Sequence, residues 1–149
     1  MWTHITPPPP GYIAASCCSY PSGLFVVLLV QQTNHGYEVI ACVDHGTPQS
    51  SVDVQGSVAT MDEAWNLVAQ CYAMWDEHQK GIPPSHAPRR RWFYEDKGGI
   101  SKELRTREEL LALLASGVVT WGAAVWERTE GYESNGWESL RHAMCLPED

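Results

Sequence analysis

Apolar residues fall along this chain in distinct rhythms, and each rhythm predicts an element. Leu24-Phe25-Val26-Val27-Leu28-Leu29-Val30 is an unbroken apolar run rich in branched side chains, which reads as a strand. Asn34-His35-Gly36 supplies turn chemistry, and Tyr37 to Val43 alternates as a second strand, so the two form a hairpin. Asp44-His45-Gly46-Thr47-Pro48 is a second turn, after which Ser51 to Gln55 adds a shorter third strand with Val52 and Val54 on one face. The period then lengthens. Met61, Ala64, Trp65, Val68, Cys71, Tyr72 and Trp75 fall on one helical stripe, preceded by Thr60 and Glu63 at capping-box spacing. The helix is predicted to stop near Lys80 at Gly81, with Pro83-Pro84 just beyond.

Residues 1–22 hold Pro7 to Pro10 and little periodicity, so they read as an extended arm of polyproline II character ahead of a β-β-β-α unit over 23–80. Residues 81–90, rich in proline and without an apolar period, read as a linker. A second unit over 91–142 follows. Arg91 to Glu95 is a short aromatic strand, Thr106 with Glu109 forms a second capping box, and Leu110, Leu111, Leu113 and Leu114 make a short helix ended by Ser116-Gly117. Ala123 to Glu127 and Gly136 to Leu140 complete it as β-α-β-β, with a tail over 143–149. The predicted fold class is α+β, an antiparallel meander closed by one helix and then a smaller mixed unit.

Charge divides the chain at the same place. No Lys or Arg precedes Lys80, whereas Glu38, Asp44, Asp53, Asp62, Glu63, Asp76 and Glu77 make the first unit uniformly acidic. The remainder nearly balances, with eleven carboxylates against ten basic residues. Such a first unit repels polyanions and anionic membranes, and its field favours a basic protein partner. With 149 residues and 44% hydrophobic content the chain can bury a core. Five cysteines, an odd number without C-x-x-C spacing, and the absence of a positively charged leader predict a reduced cytoplasmic setting. The longest apolar run is far below the roughly 20 residues that a membrane helix needs.

Trp92-Phe93-Tyr94, the pair Gly98-Gly99, the Glu108-Glu109-Leu110 helix with its exit Ala115-Ser116-Gly117, then Val125-Trp126 and finally Trp137-Glu138-Ser139-Leu140 form a recurring pattern. It resembles the bacterial GYF-like domain over about residues 91–141, with Ile100-Ser101 where that family usually places a proline. The resemblance implies a small α+β interaction module without catalytic activity, whose eukaryotic relatives bind proline-rich peptides on an aromatic surface. Trp92, Tyr94, Trp126 and Trp137 could converge on one side of a small sheet as such a surface, or serve as the unit's core. Pro9-Pro10-Gly11-Tyr12 has the form that GYF domains favour, so the arm is a candidate occupant.

Candidate chemistry is sparse. His35, Asp44 and His45 are raw material for a metal site or acid–base pair, but no fourth ligand stands at a recognisable spacing, and solvated turn polarity is the better account of them. Cys17-Cys18 is a vicinal thiol pair, and Arg89-Arg90-Arg91 could meet a phosphate or pair with the acidic unit. No phosphate loop or catalytic motif is present. The sequence therefore predicts a non-enzymatic, cofactor-free and metal-free protein that binds another protein rather than nucleic acid or membrane. The acidic contacts expected are Glu38, Asp44, Asp53, Asp62, Asp76 and Glu77, and the aromatic ones Trp92, Tyr94, Trp126 and Trp137. A narrower version is an anti-CRISPR-like inhibitor from a phage or mobile element, blocking a basic nucleic-acid-binding host protein. Other versions are an adaptor for proline-rich segments and a hydrolase or metal enzyme built on His35, Asp44 and His45.

Overall fold

The five strands of the first sheet run in simple sequence order, each antiparallel to the last, and one long helix follows them. These observations come from a computed structural model that describes residues 1–45, 50–84, 90–95, 98–104, 106–131, 133, 136–144 and 146. The fold is α+β in two units, Met1–His86 and Ala87–Asp149, divided within the predicted linker.

In the first unit, β1 (Thr3–His4), β2 (Ala14–Ser19), β3 (Phe25–Thr33), β4 (Gly36–Asp44) and β5 (Ser50–Val58) precede α1 (Met61–Gln79). The segment over 1–22 is therefore not an extended arm. Ala14-Ala15-Ser16-Cys17-Cys18-Ser19 carries no branched or aromatic side chain, so it gives no strand signal. It nonetheless pairs with β3 from Ala14↔Val30 to Ser19↔Phe25, and its first five residues are buried. Pro9 is buried too, with Tyr12 N donating to Pro9 O at 3.1 Å, so Pro9 to Tyr12 is a turn of the unit rather than a free ligand-like segment.

The apolar run of β3 is explained by its place in the middle of the sheet, where Val26 to Val30 are all shielded from solvent. The predicted hairpin is present, with β3 and β4 paired from Phe25↔Asp44 to Thr33↔Gly36. Gly36 has φ 144°, and a Cβ there would lie 2.2 Å from Val58 O, so the turn admits only glycine. β5 is longer than predicted. Val52 and Val54 do share a face, but that face is open at the sheet edge.

The capped helix forms as its stripe predicts. Thr60 Oγ1 accepts from Glu63 N at 3.2 Å, Lys80 is the C-cap, and Gly81 follows with φ 77°. Ala64, Val68, Cys71 and Tyr72 meet Val26, Leu28, Val39 and Ala41 in the core. The small residues of β2 leave room for Tyr72, whose hydroxyl lies 2.9 Å from Ser16 Oγ. Trp2 stacks on Tyr72 at 5.2 Å and on Trp65 at 6.2 Å, so the N-terminal segment is held by the helix.

The second unit comprises β6 (Arg90–Glu95), β7 (Ser101–Leu104), α2 (Arg107–Ala115), β8 (Ala124–Thr129), β9 (Trp137–Ser139) and the single turn α3 (Leu140–Ala143). Its sheet has the order β7-β6-β8-β9. The predicted β-α-β-β order omits β7, whose Ser-Lys-Glu-Leu sequence is polar and mostly exposed because it forms an edge. The second capping box is present, with Glu109 N donating to Thr106 Oγ1 at 3.3 Å. The predicted tail is another correction, since Ala143, Met144 and Leu146 are buried. Parts of the second turn, the linker and the tail lie outside the described residues.

Candidate functional site

Alternation along β6 sorts the aromatic residues into two sets. Trp92 and Tyr94 point to the face that carries Val125 and are buried, so neither belongs to an open binding surface. This corrects two of the four aromatic contacts expected from sequence. Trp92 lies beneath two guanidinium groups, with Arg90 Cζ 5.6 Å and Arg107 Cζ 5.3 Å from its ring centroid. Arg90 Nε also donates to Glu127 Oε1 at 3.1 Å. Cation–π attraction and a shielded ion pair thus hold this side of the sheet, and Trp92 Nε1 has no acceptor among the described residues.

The other face carries a continuous aromatic row. Phe93 on β6 is directly across from Trp126 on β8, and Trp126 is directly across from Trp137 on β9. Ring centroids are 6.4 Å apart at 55° for Phe93 and Trp126, and 5.6 Å apart at 60° for Trp126 and Trp137. Edge-to-face packing of this kind fixes the rings against each other and stabilises adjacent strands. Phe93 and Trp126 are half-buried, while Trp137 is 40% exposed. Phe93 was not among the expected contacts, although the period of two in Trp92-Phe93-Tyr94 already sets it apart from its neighbours.

The same face bears charge beside the row. Arg91 and Arg128 are register partners on β6 and β8, two residues from Phe93 and Trp126 respectively. Arg91 Nη1 approaches Glu103 Oε1 at 3.5 Å, with both side chains about half exposed. Arg90 and Arg91, adjacent in sequence, thus engage Glu127 and Glu103 of their own unit on opposite faces; Arg89 lies outside the described residues.

The acidic residues of the first unit do not make one face. Glu38 and Asp44 lie near opposite ends of β4, about 20 Å apart at the rise of a strand. Asp44 is fully buried and takes part in an interaction inside the protein, which removes it as a surface contact. Its position as a paired strand residue rather than a turn residue is the reason. Glu38 is half-buried, and Asp53 is exposed on the edge strand. Asp62 begins α1, whereas Asp76 and Glu77 end it about 21 Å away. The last two have local partners, since Tyr20 Oη donates to Asp76 Oδ1 at 2.7 Å and Lys80 Nζ to Glu77 Oε2 at 2.8 Å.

His35 stands in the β3–β4 turn, at the far end of β4 from Asp44 and His45, so these three do not converge. Among the described residues no group of three or more His, Cys, Asp and Glu is placed to hold a metal ion. Cys17 and Cys18, neighbours in a strand, point to opposite faces and are both buried; burial also raises the pKa of the Cys71 thiol. Among the described residues no helix is long and apolar enough to cross a membrane. Comparisons of the chain with family models, curated proteins and solved structures found no match.

Proposed function

We propose that this chain is a non-enzymatic protein-binding protein that docks a proline-rich segment of a partner across the row Phe93, Trp126 and Trp137. The observation that carries this reading is the register of the row, three aromatic residues opposite one another on adjacent strands with the last ring open to solvent. Phe93 and Trp137 are two strand spacings apart, about 9.6 Å. One turn of polyproline II advances about 9.3 Å, so successive turns of a bound segment can rest on the two ends of the row. Such a segment is already ordered before it binds, which lowers the entropy lost on docking. The GYF-like resemblance of residues 91–141 points the same way, though with Phe93 in place of Trp92 and Tyr94.

The basic-partner version rests on weaker ground. An inhibitor that fills a nucleic-acid groove needs a concentrated negative face, and here the carboxylates are dispersed, buried or locally paired. The first unit still carries seven carboxylates against one basic residue, Lys80, and that excess opposes binding of polyanions.

Binding of the full chain to an array of proline-rich peptides and their scrambled apolar counterparts tests the reading. Proline-rich peptides are expected to be retained, and Trp137→Ala to weaken them at least about tenfold, as removal of an exposed aromatic anchor does. Equal retention of scrambled peptides, or no effect of Trp137→Ala, contradicts it.

A further inference from the structure

The row has unlike flanks. On one side, one strand pleat away, Arg91 and Arg128 face each other across β6 and β8. On the other, β6 presents Glu95, which is exposed. Like charges directly opposite on adjacent strands destabilise a sheet, and core packing gives no reason for this pair because both arginines are exposed. Among the described residues Arg91 has only a long, half-exposed contact with Glu103, a type of pair that contributes little and is readily exchanged. Arg128 has no carboxylate within ion-pair distance among the described residues. Two guanidinium groups beside an aromatic row are suited to an anionic group, since their planar donors match carboxylate and phosphate oxygens.

We propose that Arg91 and Arg128 form an anion clamp that selects proline-rich segments carrying an acidic or phosphorylated side chain beside the prolines; this rests on the row being a peptide site. A polyproline II segment lying on Phe93, Trp126 and Trp137 turns every third side chain away from the rings. One such side chain, on the Arg91–Arg128 flank, reaches the clamp. Glu95 on the opposite flank disfavours the same residue there, so the charges also set the direction of the bound chain. A nucleic-acid strand fits less well. Its bases need flat, open ring faces, whereas these rings are tilted edge to face. A run of phosphates would also meet Glu95 and Glu103 on the same surface.

The test uses the full chain and a synthetic proline-rich dodecapeptide in which one Gln, Glu or phosphoserine is scanned along the sequence. At one or two positions, and at low salt, Glu is expected to bind about threefold and phosphoserine about tenfold tighter than Gln. The gain should shrink at high salt, and the ratio over Gln should fall to about one in Arg128→Gln and in Arg91→Gln. Thermal midpoints no lower than wild type would show that both variants fold. If the Gln peptide binds but no acidic position improves it, or the gain survives both substitutions, the clamp is overturned and the aromatic reading stands. If none of the peptides binds, both fall. Tighter binding of a twelve-residue oligothymidylate than of the phosphoserine peptide, lost in Arg128→Gln, would overturn the clamp in favour of a nucleic-acid surface.

Discussion

Trp126 and Trp137 are cross-strand partners whose rings meet at 5.6 Å and 60°, yet only the second is open to solvent. A pair of this kind divides its work. The half-buried ring anchors the sheet, and the exposed ring presents area that folding does not use. The protein-binding reading follows from that division, because exposed aromatic area held rigidly by a neighbour loses little entropy when a partner covers it.

Tryptophans of this unit should therefore differ sharply in their effect on stability. Trp92→Ala removes a buried ring from beneath Arg90 and Arg107 and is expected to cost about 3–5 kcal/mol. Trp137→Ala should cost less than about 1 kcal/mol, the scale of one cross-strand pair. Urea unfolding of the two variants measures both. A loss for Trp137→Ala as large as that for Trp92→Ala would mean that the exposed ring is structural.

The first unit should lose stability at alkaline pH. Burial, above all, pushes the Tyr72 phenol well above its ordinary value, and burial together with the hydrogen bond to Asp76 does the same for Tyr20. A phenol raised in the folded state contributes stability that is fully present below its unfolded pKa near 10. That contribution is lost as pH climbs toward the folded value. Unfolding free energy should fall by about 1.4 kcal/mol per pH unit above pH 10 on account of Tyr72. Tyr20, which is partly exposed, adds a smaller slope. Tyr72→Phe should flatten its share while lowering stability by about 1 kcal/mol near neutrality, through loss of the bond to Ser16. Denaturant titrations between pH 8 and 11.5 test this, and an unchanged alkaline slope in the variant would contradict it.

Gly36→Ala should be among the most damaging small substitutions. The new Cβ would stand 2.2 Å from Val58 O and 3.1 Å from Ala59 Cα, both backbone atoms that a rotamer change cannot move, at φ 144°. A loss of at least about 2 kcal/mol is expected. A urea midpoint within error of wild type would show that the β3–β4 turn can relax.

Much of this fold is legible in the sequence because several signals coincide. The apolar run of β3, the turn at Asn34-His35-Gly36, the capping boxes at Thr60 and Thr106 and the helical stripe of α1 each have a local cause. β2 has none. Its alanines, serines and cysteines become a strand because β3 offers a ladder and Tyr72 needs small neighbours, both long-range facts. β7 was hidden for the opposite reason, an edge strand with little to bury. The candidate site was legible only in part. Trp92, Tyr94, Trp126 and Trp137 all fit surface or core by spacing, and the alternation of a strand puts the first two on the buried face and the last two on the other. The acidic surface was a count of residues, and position along β4 and α1 dispersed it.

Docking on the aromatic row can be followed through the tryptophan indole N–H signals of the full ¹⁵N-labelled chain during titration with a proline-rich dodecapeptide, assigned by single Trp→Phe substitutions. The Trp126 and Trp137 signals are expected to shift progressively and saturably while that of buried Trp92 stays near its free position. Saturable binding that leaves the Trp126 and Trp137 signals in place, or no binding at all, would contradict docking on the row.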